Sequence, residues 1–236
     1  MESTQKCNVC EANLVPNGSG NPLKCSFCGK EMSAPAYCPH GHLACETCAR
    51  LEPLAVLQEL LTKTTSRCPA EILELMMSHP RVPMHGPIHH VFVPVAIVAA
   101  VRNTGYPLPP DALLQAFDRG AKVPGGWCGL AGACGAALGV GIAVSVVTQS
   151  TPLTGKNRTL ALGATSRTLS QMLDNHPRCC KKASREALDV AVDFLHEKLG
   201  IKLLKGESTR CHYSARNREC IKEACPYYAP VGSIRS

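Results

Sequence analysis

The sequence predicts a mainly α-helical protein with a small metal-binding module at its front. Three observations predict this. Cys and His pairs at metal-ligand spacing crowd the first 50 residues. The remainder falls into apolar stretches at helical period, punctuated by Gly and Pro. The composition, 45% hydrophobic and 18% charged over 236 residues, is that of a folded globular chain.

Residues 1–50 form the module. Cys7-x2-Cys10 and Cys25-x2-Cys28 are paired knuckles, and Cys38, His40, His42, Cys45 and Cys48 follow at once. Zinc takes four N or S ligands in a tetrahedron, and a C-x2-C turn delivers two thiolates to one ion, so the set fills two sites. The simplest assignment is sequential, with Cys7, Cys10, Cys25 and Cys28 on one ion and Cys38, Cys45, Cys48 and either His42 or His40 on the other. The spacing from Cys38 to Cys48 also looks like the middle of a RING finger, which leaves an interleaved pairing open. RING-type ubiquitin ligation is not expected, because the last C-x2-C pair of that pattern is missing downstream. Closed four-ligand sites have no open position, so these ions are expected to be structural.

A helical linker is expected over residues 51–78. Leucines recur at helical spacing over 51–63, and a second amphipathic stretch runs over 69–77 after a cap signal at Ser66. Prolines between His79 and Pro94 then break regularity, and residues 79–236 read as a helical, cysteine-rich domain. Its helices are expected over 95–103, from Pro110 and Asp111 to Arg119 with a stop at Gly120, over 127–147, over 157–173, and over 183–199 with a stop at Gly200. A short strand is expected at 201–204. The tail, 211–226, reads as an irregular loop with one helical turn. The uncharged stretch 127–147 has 21 residues, enough to span a bilayer, but its glycines and cysteines mark a buried helix instead.

Seven of the 15 cysteines lie in this second part: Cys128, Cys134, Cys179, Cys180, Cys211, Cys220 and Cys225. The chain opens with no basic and apolar leader, so the thiols are expected to be reduced, in a cytoplasm, and to serve as metal ligands or redox groups. Cys128 begins a helix, where the macrodipole favours a thiolate. Cys134 lies six residues on, about 120° around a regular helix, so the two sulfurs converge only if the first turn is irregular. Gly129, Gly132 and Gly135 clear one face for a close helix or an inorganic cluster. His176, Arg178, Lys181 and Lys182 flank Cys179 and Cys180, which again favours thiolates, and adjacent cysteines rarely bridge each other. Cys128, Cys179 and Cys180 are therefore the candidate reactive thiols. Cys211-x8-Cys220-x4-Cys225-Pro226 ends as some iron–sulfur ligand runs do, although its spacing matches no ferredoxin. His85, His89 and His90 are candidates for a further ligand, a proton donor or a substrate contact, and Arg119 with Lys122 for an anionic substrate. Cys68 reads as a buried apolar residue. The net charge of +7 is dispersed and aromatics are only 4%, so nucleic acid is allowed but not indicated.

The stretches HHVFVPVAIVAAVRN, RGAKVPGGWCGLAGACGAALGVGIAVSVV, PRCCKKASREALDVAVDFL and CHYSARNRECIKEACPY together resemble an uncharacterised cysteine-rich family of anaerobic bacteria and archaea. Its members occur alone or joined to S-adenosylmethionine-dependent methyltransferase domains. More distantly, the chain is similar to a family of small helical proteins named for a C-GCAxxG-C-C pattern, which implies redox activity, though it lacks an intact GCAxxG. The resemblance implies a methyltransferase or an electron-transfer protein as partner, with no methyltransferase fold in this chain itself. The expectation is then two zinc ions in front and, behind them, an iron–sulfur cluster of the 4Fe-4S kind on some of the seven cysteines. Such a chain would act as a redox or sulfur-handling protein, as an iron–sulfur oxidoreductase or a sulfur transferase. The competing expectations are a zinc-filled docking module for a methyltransferase or nucleic acid, and a metal-free vicinal dithiol that handles redox equivalents or heavy metals.

Overall fold

A computed structural model describes residues 5–206 and 210–230. Among them are nine α-helices and four two-residue strands, so the mainly helical class with a cysteine module in front is borne out. The described residues divide into two compact units. The first takes those of 1–63, 75–84 and 208–236, and the second those of 64–74 and 85–207. The sequence reading gave the tail to the rear domain, whereas here it belongs with the front module.

In the first unit, β1 (Val15–Pro16) pairs antiparallel with β4 (Ala36–Tyr37), and β2 (Leu23–Lys24) with β3 (Glu31–Met32). Strands this short bury little. One buried cluster of the module is Cys25, Phe27, Cys45, Cys48 and Val56, three of them cysteines of one knuckle set, so a bound ion would contribute directly to its stability. Helix α1 (Glu46–Arg50) is capped by the Cys45 sulfur, which accepts from the Cys48 amide. Helix α2 (Pro53–Lys63) starts on a proline whose missing N–H costs nothing there, and it buries Val56, Leu57, Leu60 and Leu61. The tail contributes two 3-10 turns, Ser214–Arg216 and Lys222–Ala224. It is tied to the first knuckle by the Arg216 guanidinium, which donates to the Asn8 and Val9 carbonyls at 2.9 and 3.0 Å.

Helix α3 (Pro69–Met77) divides between the units after Glu74. The second unit also holds α4 (Ile88–Asn103), α5 (Ala112–Ala121), α6 (Trp127–Leu130), α7 (Gly135–Val147), α8 (Gly155–Gln171) and α9 (Cys180–Leu199). Helix α4 is buried from His89 to Val101 on every side and forms the axis of this unit. It starts seven residues before the predicted 95 and runs through Pro94. A proline there leaves the His90 carbonyl without its helical donor, but burial of a continuous Val, Ala and Ile surface outweighs the loss. That carbonyl faces Gly120, where an added Cβ would stand 2.8 Å from the oxygen. Gly120 is therefore the penultimate residue of α5, one before the end at Ala121, and it permits close approach to α4.

The predicted helix over 127–147 is broken. Helix α6 ends at Leu130, the chain turns at Gly132 in the left-handed region (φ 64°), and α7 resumes with Cys134 as its N-cap. The expected strand at 201–204 is absent; Ile201 caps α9 through its amide, and the Leu204 amide donates singly to the Arg67 carbonyl. Arg185 of α9 makes a two-pronged pair with Glu74, at 2.6 and 2.9 Å. Cys68 is buried, as expected. Among the described residues no helix is long and apolar enough to cross a membrane.

Candidate metal centres

Two ligand sets stand in the first unit: Cys7, Cys10, Cys38 and His42, and Cys25, Cys28, Cys45 and Cys48. Within each, all ligand atoms lie within 4.8 Å of one another. A tetrahedral ion with Zn–S bonds of about 2.3 Å wants its sulfurs about 3.8 Å apart. The observed separations suit that: Cys10 to Cys38 is 3.6 Å, Cys28 to Cys45 is 3.8 Å, and His42 Nδ1 stands 3.6 Å from Cys38 and 3.7 Å from Cys7.

The pairing is interleaved, which corrects the sequential assignment. Its cause is backbone pairing. The β1–β4 ladder, extended by the Asn17 amide to the Pro35 carbonyl at 2.8 Å, carries Cys38 and His42 to the first knuckle. The Ser26 amide donates to the Leu43 carbonyl at 2.8 Å and sets α1, with Cys45 and Cys48, against the second. His40 is outside both sets; its ring stacks on His212 of the tail at 3.8 Å.

Amide donors surround the ligands. The Cys7 sulfur accepts from Val9, Cys38 from His40, and Cys25 from Cys45. Burial alone would push the Cys25 thiol up, but the amides of Cys28, Cys45 and Phe27 bring it down to about 7. Hydrogen bonds from Cys10 and Cys38 hold the Cys7 thiol far below its ordinary range. Burial pushes the His42 imidazole down, while Cys38 and Cys7 outweigh it and bring it up to about 9. Within each set one partner holds the proton, the Cys38 and Cys7 sulfurs pushing the Cys10 thiol up and burial the Cys48 thiol; both are closed, sulfur-rich pockets whose residues fit two metal ions of the zinc type.

The second unit holds a cavity of about 640 Å³ lined by Cys128, Cys134, Cys179 and Cys180, with His85 and His90 beside them. The broken helix explains the first pair. Cys128 sits in α6, Cys134 caps α7, and the turn between them is irregular, which is the one condition under which both can face a common space. Cys179 caps α9 and Cys180 is its first residue. Trp127, Leu169 and Met172 give the cavity an apolar wall. Among the described residues, no three of these side chains come within the 4.8 Å that would suit a single ion.

The thiolate character expected at Cys180 is reversed, and Cys134 behaves in the same way. Burial raises the Cys134 thiol, against the Ala136 and Ala137 amides that would lower it. Burial likewise raises Cys180, against the Gly86 amide and Arg178. Cys128, Cys134 and Cys180 lie within electrostatic reach of one another. The flanking cations are partly committed elsewhere: Lys182 pairs with Asp174 at 2.7 Å and Glu186 at 2.6 Å, and Lys181 is buried. Asp174 and Glu186, which both line the cavity, were missed in the sequence; only the Lys182 to Glu186 spacing of one helical turn hinted at either.

The other candidates lie elsewhere. Cys211, Cys220 and Cys225 belong to the first unit, and none of them is among the residues that line the cavity. Arg119 donates to Ser145 Oγ at 2.9 Å and to Gln115 at 2.7 Å, and borders a separate shallow depression with Arg158 and Thr165. His89 is buried in the core, its Nδ1–H donating to the Gly86 carbonyl at 3.1 Å. Burial pushes it down to about 3.

No curated protein and no solved structure matches the chain. A family model matches residues 57–228, which take in the whole rear cavity and most of the tail but none of the front metal ligands. The chain belongs to that family, a family of unknown function (DUF5714).

Proposed function

We propose that this is an iron–sulfur redox protein whose cluster sits in the rear cavity on cysteines from the starts of α6, α7 and α9, with two structural zinc ions in front. One observation carries the reading: four cysteines from three helix starts line a single cavity, yet are spread too widely for one tetrahedral ion. Polynuclear clusters are held by such scattered thiolates, and nearby amides and burial set their potential. Bound metal would also ionise thiols that burial otherwise keeps protonated. The tail cysteines are not part of this centre. An electron-transfer protein, or a methyltransferase carrying this domain, is the partner class. The test is purification without oxygen, followed by assay of iron and acid-labile sulfide and a search for a charge-transfer band at about 400 nm. The proposal requires all three; a colourless, iron-free protein that reconstitution with iron and sulfide leaves unchanged would falsify it.

A further inference from the structure

The ring of His90 is held in one orientation and one tautomer. Its residue is only 8% exposed. Nδ1 stands 3.0 Å from the Val123 carbonyl oxygen. A carbonyl only accepts, so Nδ1 carries the proton and Nε2 keeps its lone pair. The geometry around it follows from two close helix contacts. Gly120 lets α5 pack against the His90 backbone, and the chain leaving α5 then places the Val123 carbonyl on Nδ1. On the other side, an added Cβ at Gly135 would stand 2.2 Å from His90 Cδ2 and 2.3 Å from Nε2. The ring therefore lies flat on the first residue of α7, next to Cys134, at the cavity wall. Nε2 takes no hydrogen bond from any described residue.

A buried imidazole whose Nδ1–H is pinned to a carbonyl and whose Nε2 lone pair is left available is the arrangement that metal-binding histidines use. We infer that His90 Nε2 is a ligand of the rear centre, whose donor set is then Cys128, Cys134, Cys180 and His90, three thiolates and one imidazole. This rests on the proposed cluster and specifies its chemistry. Cys179 is left out because it precedes Cys180 in extended backbone (φ −133°, ψ 104°), so the two consecutive side chains diverge at the helix start. His89 is left out because its Nδ1 is tied to Gly86 while its ring lies in the core, outside the cavity lining. Replacing one anionic thiolate by a neutral imidazole raises a cluster's reduction potential and leaves it sensitive to protonation of the histidine.

The experiment is pulsed electron paramagnetic resonance on the reduced, anaerobically purified full chain, with potentiometry on wild type, His90→Cys and Cys179→Ser. Wild type should show nitrogen hyperfine coupling from a directly bound imidazole. His90→Cys should keep iron and sulfide, lose that coupling and shift to a lower potential, and Cys179→Ser should keep iron, sulfide and coupling. A cluster in wild type without nitrogen coupling overturns the histidine assignment and leaves the cluster standing. A wild-type chain that binds no iron or sulfide overturns both. Because the wild-type spectrum alone decides the first question, a variant that fails to fold does not rescue the inference.

Discussion

At Cys134 and Cys180 burial and helix position compete for the same sulfur, and burial wins. The sequence showed the helix start and the cations beside Cys180, which argue for a thiolate there, but it placed Cys134 inside the helix that Cys128 begins and not at a start of its own. It could not show how deeply each is enclosed, which depends on α4 and the loop at Gly86. If these two sulfurs are cluster ligands, Cys134→Ser or Cys180→Ser should remove most of the iron and sulfide while zinc stays at two per chain, measured by metal analysis. His89 gives a prediction on stability. Its folded pKa, about 3, lies below the ordinary histidine value, so the unfolded chain binds the extra proton first as pH falls. Stability should therefore be full above the unfolded value of about 6.5 and fall as pH drops from there toward 3, by about 1.4 kcal/mol per pH unit crossed. Denaturant melts at pH 7 and pH 5 should show that loss in wild type, and His89→Met should reduce it.

The helices over 51–63, 69–77, 157–173 and 183–199 were legible within a few residues because apolar period and punctuation agree there. Two of the misses share a cause, a proline or glycine whose role is set by a neighbouring helix. Pro94 reads as a breaker but sits inside α4, and Gly120 reads as a stop but is the penultimate residue of α5, against the His90 carbonyl. Gly120→Ala should cost about 1–3 kcal/mol, the usual cost of overpacking, because its Cβ meets backbone that cannot turn aside. The lost stability would appear in a thermal melt, and the same change should loosen the Val123 to His90 hydrogen bond. In the glycine run the sequence correctly stated the condition, an irregular first turn, but could not decide it. The turn at Gly132 decides it.

For the whole molecule, ligand types and spacing fixed seven front cysteines and narrowed the eighth ligand to His40 or His42, while the choice and the pairing depended on backbone contacts no spacing encodes. The tail is the larger revision: its cysteines seemed to belong with the rear thiols, yet Arg216 and His212 fasten it to the first metal site. With both ligand sets tying together the knuckles and short strands of the first unit, a strong chelator should unfold the front module and expose the tail to protease, while most helical circular dichroism, which comes from the second unit, remains. Loss of all helical signal on chelation would contradict this. The central claim, a cluster held by the cavity cysteines without help from the tail, is tested most directly by one comparison. Iron, sulfide and zinc are measured per chain in anaerobically purified wild type and in the Cys211→Ser, Cys220→Ser, Cys225→Ser triple variant. The account predicts the same iron and sulfide in both, with two zinc ions each; iron that disappears with the tail cysteines, or zinc in place of iron in wild type, would contradict it.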